Sequence, residues 1–499
     1  MLNPTTSALI FIRLCVFGIQ YAPYLYALLP PPLSIIFLFT ELFYYLFIYR
    51  RFQARLAQTA QHPPDTREER ETLFNRCLAN IPDPERYLSL WALGADIAQV
   101  NKDNVREFLR WAFADRSDAG SPEVESELDD YLTKTEQLLG RPLPDGRGSA
   151  VPMKLTFDTV HTRYRTFLWY LTVGLVDSAT HVRLLWRGFQ FHTASLITNL
   201  IHVFPPRPLV SLDRLSRKSA SDELNHWYRP PIATDRPTLP IVFLHGIGIG
   251  LYPYVHFLSD LPPTSPVLAV EVLPICMRLT RSNILARPDF LRHLKVILRQ
   301  HNIDRFVLIG HSYGTALASH VLKDSELNLK IEGVVLVDPV SLLLHLPDVA
   351  YNFTRRMPTT ANEWQLWYLA SMDPGIALVL GRHFFWRENI IWKDELVTRG
   401  DSSRNAAVCL SSRDLIVDTL TVARYLIHNE GLTELGNHKS LAEDKQLAAA
   451  LDRGSTVTDS GLEMLWFEMD HAQAFDKRSD YFRIIDVVQR FCVYPKAGK

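Results

Sequence analysis

The sequence predicts an α/β fold, a mostly parallel sheet flanked by helices, preceded by a strongly apolar N-terminus and a helical extension. Three observations carry this. Phe306-Val-Leu-Ile-Gly-His-Ser-Tyr-Gly-Thr-Ala-Leu-Ala-Ser-His-Val-Leu-Lys323 passes from an apolar run through a tight turn into a small-residue helical pattern. Further buried-strand runs begin at Leu239, Val334, Asn405 and Gly461, each ending in a loop that carries polar residues. The chain has 499 residues with 47% hydrophobic content, enough for one large core and a second folded unit.

In chain order, Ala8–Leu29 is apolar except for Arg13, and Leu33–Tyr49 is apolar except for Glu41, with Pro30-Pro31-Pro32 between them. The first run is long enough to cross a hydrocarbon core, and the second is marginal by itself. No basic region precedes the first run and no small-residue cleavage site follows it, so a signal peptide fits poorly. Residues 1–50 are therefore expected to form a membrane anchor, either one span or a proline-turned hairpin in which Arg13 and Glu41 could meet. Arg50, Arg51 and Arg55 place the following residues on the cytosolic side by the positive-inside rule.

Residues 51–235 are expected to form a helical extension. Leu73-Phe74-Cys77-Leu78 and Val105-Phe108-Leu109-Ala112-Phe113 have helical spacing, and Gly140–Ser149 is a loop by its proline and glycine density. Phe167–Phe204 is a second apolar block, interrupted by Asp177, Arg183 and Arg187. It reads as packing on the core of the C-terminal unit, with a position on the membrane surface as the alternative. Pro205-Pro206-Arg207-Pro208 and Tyr228-Arg229-Pro230-Pro231 bracket the expected linker into residues 236–499.

Within 236–499, Gly310-His311-Ser312-Tyr313-Gly314 joins a strand to a helix. Flanking glycines leave room for a turn too sharp for a Cβ on either side, and the Ser312 hydroxyl is presented at a helix N-terminus. This is the setting of a nucleophile. The glycine-rich turn His245-Gly246-Ile247-Gly248-Ile249-Gly250 offers backbone without bulk, so the amides of Ile247 and Tyr313 are the expected oxyanion donors. It lacks the spacing of a dinucleotide loop. Asp414 follows one strand directly and His471 follows the last, which gives the order Ser312, Asp414, His471. His471 would take the serine proton and Asp414 would fix the imidazole. Asp338, Asp418 and Asp470 compete for the acid role, although Asp418 reads as the cap of a helix starting near Leu420. Residues 340–404 are rich in Trp, Leu and Tyr and break the strand–helix alternation, which suggests a helical cap over the serine. The His245-Gly246 turn, Trp386 and Trp392 are expected to contact substrate, while most other aromatics there hold the cap to the core.

On the His245-Gly246 turn, the Ser312 elbow, Val337-Asp338-Pro339 and the Asp414 and His471 segments, residues 236–494 resemble the α/β-hydrolase superfamily, in particular its fold-1 serine hydrolases. The whole chain resembles fungal membrane-anchored hydrolase-domain proteins with a long helical N-terminal extension. The resemblance implies an α/β-hydrolase fold with cap, and cleavage of ester, thioester or amide bonds through an acyl-enzyme, without a cofactor. An acyltransferase on the same scaffold and a non-catalytic lipid-binding or scaffold protein are the alternatives.

Composition narrows the partners. A formal net charge of −1 with dispersed Lys and Arg gives nucleic acid nothing to bind. Five scattered cysteines without a C-x-x-C argue against a disulfide framework and a zinc site, and fit a reducing compartment. The expected substrate is a lipid or other apolar ester met at a membrane.

Overall fold

A computed structural model of the protein describes residues 4–493 except 60, 61, 63, 64, 118, 119, 213–215, 234, 236, 237, 282, 283, 400, 401, 429, 430, 436–454, 459 and 460. Residue 236, the expected first residue of the catalytic unit, lies outside the described residues.

Ten strands form one sheet: β1 (Gln190–Thr193), β2 (Ser216–Lys218), β3 (Asn225–Arg229), β4 (Ile241–Leu244), β5 (Val267–Glu271), β6 (Phe306–His311), β7 (Ile331–Val337), β8 (Asn405–Ser411), β9 (Ser455–Val457) and β10 (Leu462–Phe467). Their spatial order is β9-β10-β8-β7-β6-β4-β5-β3-β1-β2. The six strands from β10 to β5 in that order run parallel. Every residue of β4, β5, β6 and β7 is buried, because helices cover both faces and leave no polar face to alternate with. This is the α/β-hydrolase fold. Residues 340–404 are mainly short helices, including Pro347–Thr354, Ala361–Leu366 and Pro374–Arg382.

The extension is helical where its periodicity is clear. Helix Arg67–Leu78 buries Phe74 and Cys77, and helix Lys102–Ala114 buries Val105, Phe108, Leu109, Ala112 and Phe113. It is not helical throughout. β1, β2 and β3 all come from before residue 236, so Tyr228 and Arg229 lie in a sheet strand and not in a linker. These strands are three to five residues long, too short to show alternation, and β3 is stabilised by antiparallel pairing to β5 across the chain.

Helix Phe167–Trp186 packs one face on the core, as expected of the second apolar block, and leaves apolar residues of another face exposed. It buries Trp169, Tyr170, Val173, His181 and Leu184 while Leu168, Leu171, Leu175 and Trp186 stay exposed. Asp177, which interrupts the apolar pattern, lies 3.0 Å from both Arg207 and Arg278, and Arg207 in turn bonds Glu271 at 2.6 Å. A charged residue on an apolar helix is tolerated here because it is paired.

The N-terminal runs differ from expectation. The first is not one span: helix Pro4–Gln20 ends and helix Ala22–Tyr26 starts anew. Pro23 causes the break, since it has no N–H for the Ile19 carbonyl and its ring crowds that turn. The hydroxyl of Thr166 donates to the Ile19 carbonyl instead, at 3.0 Å. The run judged marginal is the long one. Pro31 opens a helical stretch that continues through a π-helical turn at Tyr45–Tyr49 to Leu56, 26 residues whose most apolar 18-residue window has mean hydropathy 1.6. Arg13 and Glu41 do not meet. Arg13 lies over the ring of Trp364, and Glu41 accepts the Phe167 amide at 3.0 Å, capping helix Phe167–Trp186.

Candidate active site

The sharp turn between β6 and helix Tyr313–Leu322 puts Ser312 at φ 51°, ψ −120°, backbone that non-glycine residues rarely adopt. The fold holds it there by clearance. A Cβ on Gly314 would sit 2.0 Å from the Leu244 carbonyl oxygen of β4, and one on Gly246 would sit 2.9 Å from the Ser312 Cβ. Both loops approach each other as bare backbone.

Ser312, His471 and Asp414 form one hydrogen-bonded chain. Asp414 Oδ2 is 2.7 Å from His471 Nδ1, and His471 Nε2 is 2.8 Å from Ser312 Oγ. Asp414 Oδ1 accepts the amides of Ile416 and Val417 at 2.7 and 3.0 Å, so its own loop fixes the carboxylate. An ionised Asp414 can only accept. In the neutral ring the imidazole proton therefore sits on Nδ1, and Nε2 is left to accept from the serine. Burial works against charging His471. The Asp414 charge and hydrogen bond, with Asp338 and Asp470 behind it, outweigh burial and lift the ring to about 9.

The competing acids have other tasks. Asp338 is buried, and its two oxygens are taken by the Ser411 hydroxyl at 2.7 Å and the Ala472 amide at 2.8 Å. It thereby holds the loop that carries His471. Burial raises its carboxyl to about 6, against the pull of His471. Asp418 caps helix Thr419–Ile427 through the Thr421 amide. Asp470 accepts the amides of Leu415 and His471, tying the two loops together.

The amides of Ile247 and Tyr313 donate to no protein acceptor among the described residues, and Ile247, Ser312 and Tyr313 line one cavity. Tyr254 locks the two donor loops together. Its hydroxyl accepts from the Gly246 amide at 3.2 Å and lies 2.7 Å from His311 Nδ1. Nothing in the residue pattern marked Tyr254, which acts only across the fold.

The cavity is lined almost wholly by carbon. Trp386 and Phe384 of the cap, Val340, Leu344 and Ile416 face it. The Trp386 indole donates to the Ala112 carbonyl at 3.1 Å, so the ring turns its apolar face inward. Trp91, Trp111 and Leu155 of the extension also line it, a contribution the sequence did not reveal. Two expected contact residues are absent from its wall. His245 is fully buried, with Nε2 accepting the Val272 amide at 3.0 Å, because its ring turns into the sheet end. Trp392 is buried under the Arg76 guanidinium, 4.4 Å from its centroid, and serves to seat the cap. Gly246 is adjacent through its backbone, against Ser312.

Residues 241–473 match the alpha/beta hydrolase family. No curated protein matches the chain. Among solved structures, a bacterial membrane phospholipase A is 13% identical, with a TM-score of 0.37, covering 65% of this chain and 92% of its own. A carboxylesterase from Bacillus subtilis is 11% identical, with a TM-score of 0.33, covering 66% of this chain and all of its own (100%). The 2-hydroxy-6-oxo-6-phenylhexa-2,4-dienoate hydrolase from Rhodococcus sp. strain RHA1 is 13% identical, with a TM-score of 0.34, covering 54% and 95%.

The clearance at the elbow yields a test. Gly314→Ala forces its methyl into the Leu244 carbonyl and is expected to destabilise the protein by about 2 kcal/mol or more. A thermal melt within a degree of wild type would contradict this geometry.

Proposed function

We propose that this α/β-hydrolase-fold protein is a membrane-anchored serine hydrolase that cleaves an ester of a lipid or other apolar acyl group. The observation that carries the reading is the pair of 2.7 and 2.8 Å contacts linking Asp414, His471 and Ser312 beneath an apolar cavity. His471 Nε2 removes the Ser312 proton as Oγ attacks the acyl carbon, and Asp414 stabilises the resulting imidazolium. The oxyanion is held by the amides of Ile247 and Tyr313, reinforced by the N-terminus of helix Tyr313–Leu322. His471 returns its proton to the leaving alcohol. A water, deprotonated by the same nitrogen, then releases the acid and restores Ser312.

The apolar preference rests on the wall of the cavity. Indole and phenyl faces, with their N–H groups engaged elsewhere, reward removal of an alkyl chain from water and offer little to a charged acyl group. The anchor rests on helix Pro31–Leu56, of whose most apolar window only 17% is buried in the protein. Ile35, Phe39 and Leu42 point outward, as do Leu168, Leu171 and Leu175 of the neighbouring helix. Arg50 and Arg51 follow the apolar stretch and orient the catalytic unit toward the cytosol.

Ser312→Ala is expected to abolish labelling by a fluorophosphonate probe and hydrolysis of p-nitrophenyl esters; labelling that persists removes Ser312 as the nucleophile. Asp414→Asn is expected to lower kcat by about 10⁴ while the melting curve stays in place. With the His471 ring lifted to about 9, the free base is the minor form at neutral pH. The ratio kcat/KM should therefore rise close to tenfold per pH unit below about 9 and level off above it; a flat profile from pH 7 contradicts this. Alkaline carbonate should leave the full chain in the membrane pellet, whereas detergent should release it; release by carbonate alone contradicts a spanning helix.

A further inference from the structure

Away from Ser312, at the β3–β1 side of the sheet, three histidines from three elements come together. His192 of β1 and His226 of β3 are direct antiparallel partners, with stacked rings 4.6 Å apart. His301, the residue closing helix Arg287–Gln300, meets both edge-on at 4.9 and 5.1 Å. One ring nitrogen of each lies within 4.8 Å of those of the other two, and His226 Nε2 is 2.9 Å from His301 Nε2.

Two features separate this cluster from ordinary packed histidines. The first is an orphan. His192 is 4% exposed, and its Nε2 is buried with no hydrogen-bond partner among the described residues. The second is the outer contacts. His192 Nδ1 lies 3.3 Å from the Gln300 side-chain amide nitrogen, which donates to the Lys218 carbonyl at 3.0 Å, and the ring also bonds the Lys218 backbone. His226 Nδ1 is 3.3 Å from the Ser219 hydroxyl, which spends its own proton on the Leu224 carbonyl. Ser219 can then only accept, so His226 carries its hydrogen on Nδ1 and turns an Nε2 lone pair toward His301. An outer nitrogen held by a protein oxygen, with the inner nitrogen left as a lone pair, is how metal-binding imidazoles are oriented, and His226 shows this arrangement. Burial keeps all three rings below the ordinary histidine range, His301 at about 4, and the nearby Arg217 guanidinium adds to this at His192 and His301. Three uncharged ligands are thus available at neutral pH.

We propose that His192, His226 and His301 form a divalent transition-metal site, best suited to Zn²⁺, that clasps β1 and β3 to the end of helix Arg287–Gln300. Three imidazoles with no carboxylate favour zinc over magnesium or calcium, and a water would complete the tetrahedron. Zn–N bonds of about 2.0–2.1 Å hold ligand nitrogens about 3.3 Å apart, a closure that small ring rotations supply. The site joins strands contributed by the extension to the helix end beside them, so a metal bound there ties these elements together. The expectation that the chain lacks a zinc site came from cysteine spacing, and these ligands contain no cysteine.

The test uses the full untagged chain, stripped with EDTA and dialysed against zinc chloride. Elemental analysis should find one zinc per chain, and the melting temperature should rise by several degrees with zinc and not with magnesium. His301→Gln alters only a partly exposed ring at the helix end. It should remove the bound zinc and the zinc-dependent rise while leaving the zinc-free melt unchanged. His192→Ala should do the same even if its zinc-free melt drops. Wild type that takes up no zinc, or variants that keep it in full, overturns the site.

Discussion

Everything at the candidate site depends on one strained backbone position. Ser312 sits at φ 51°, ψ −120°, which costs on the order of 1–3 kcal/mol by itself. The turn is held because β6 and the helix after it are clamped on every side. β4 and β7 pair with β6 along its length, and the Gly314 backbone rests against the Leu244 carbonyl. Core packing of this extent outweighs a local penalty of that size. In return the hydroxyl stands clear of the sheet, at a helix N-terminus, where a loop from one side and a histidine from the other can reach it.

The histidine is positioned by the same economy of contacts. Three carboxylates surround His471, and each has a separate partner set. Asp414 takes the ring, Asp338 the following amide, and Asp470 the residue's own amide. Concentrating negative charge around one imidazole raises its proton affinity, the direction that the proposed general-base role requires.

The extension is built into the catalytic unit and is not an appendage. It contributes three strands to the sheet and Trp91 and Trp111 to the cavity wall. Polar groups on the apolar N-terminal helices are satisfied by it: Thr166 takes the carbonyl that Pro23 leaves free, and Glu41 caps helix Phe167–Trp186. The N-terminal helices are thereby fixed to the extension that walls the cavity.

The parallel sheet, the Ser312 elbow, the helical insertion after β7 and the order Ser312, Asp414, His471 were legible in the sequence, because each is a local pattern. Apolar runs, flanking glycines and residues at strand ends announce themselves within about ten positions. What the sequence could not settle was anything decided by partners distant in the chain. β3 forms because β5 offers it a ladder and β1 adds to β3 in turn, Asp338 is drawn away from the His471 ring by Ser411 and Ala472, and His245 turns into the sheet to meet Val272. Likewise the break at Pro23 went unread within the first apolar run, and only the fold supplied Thr166 to make it tolerable. Local chemistry fixed which residues could act, and long-range hydrogen bonding and burial decided which of them meet.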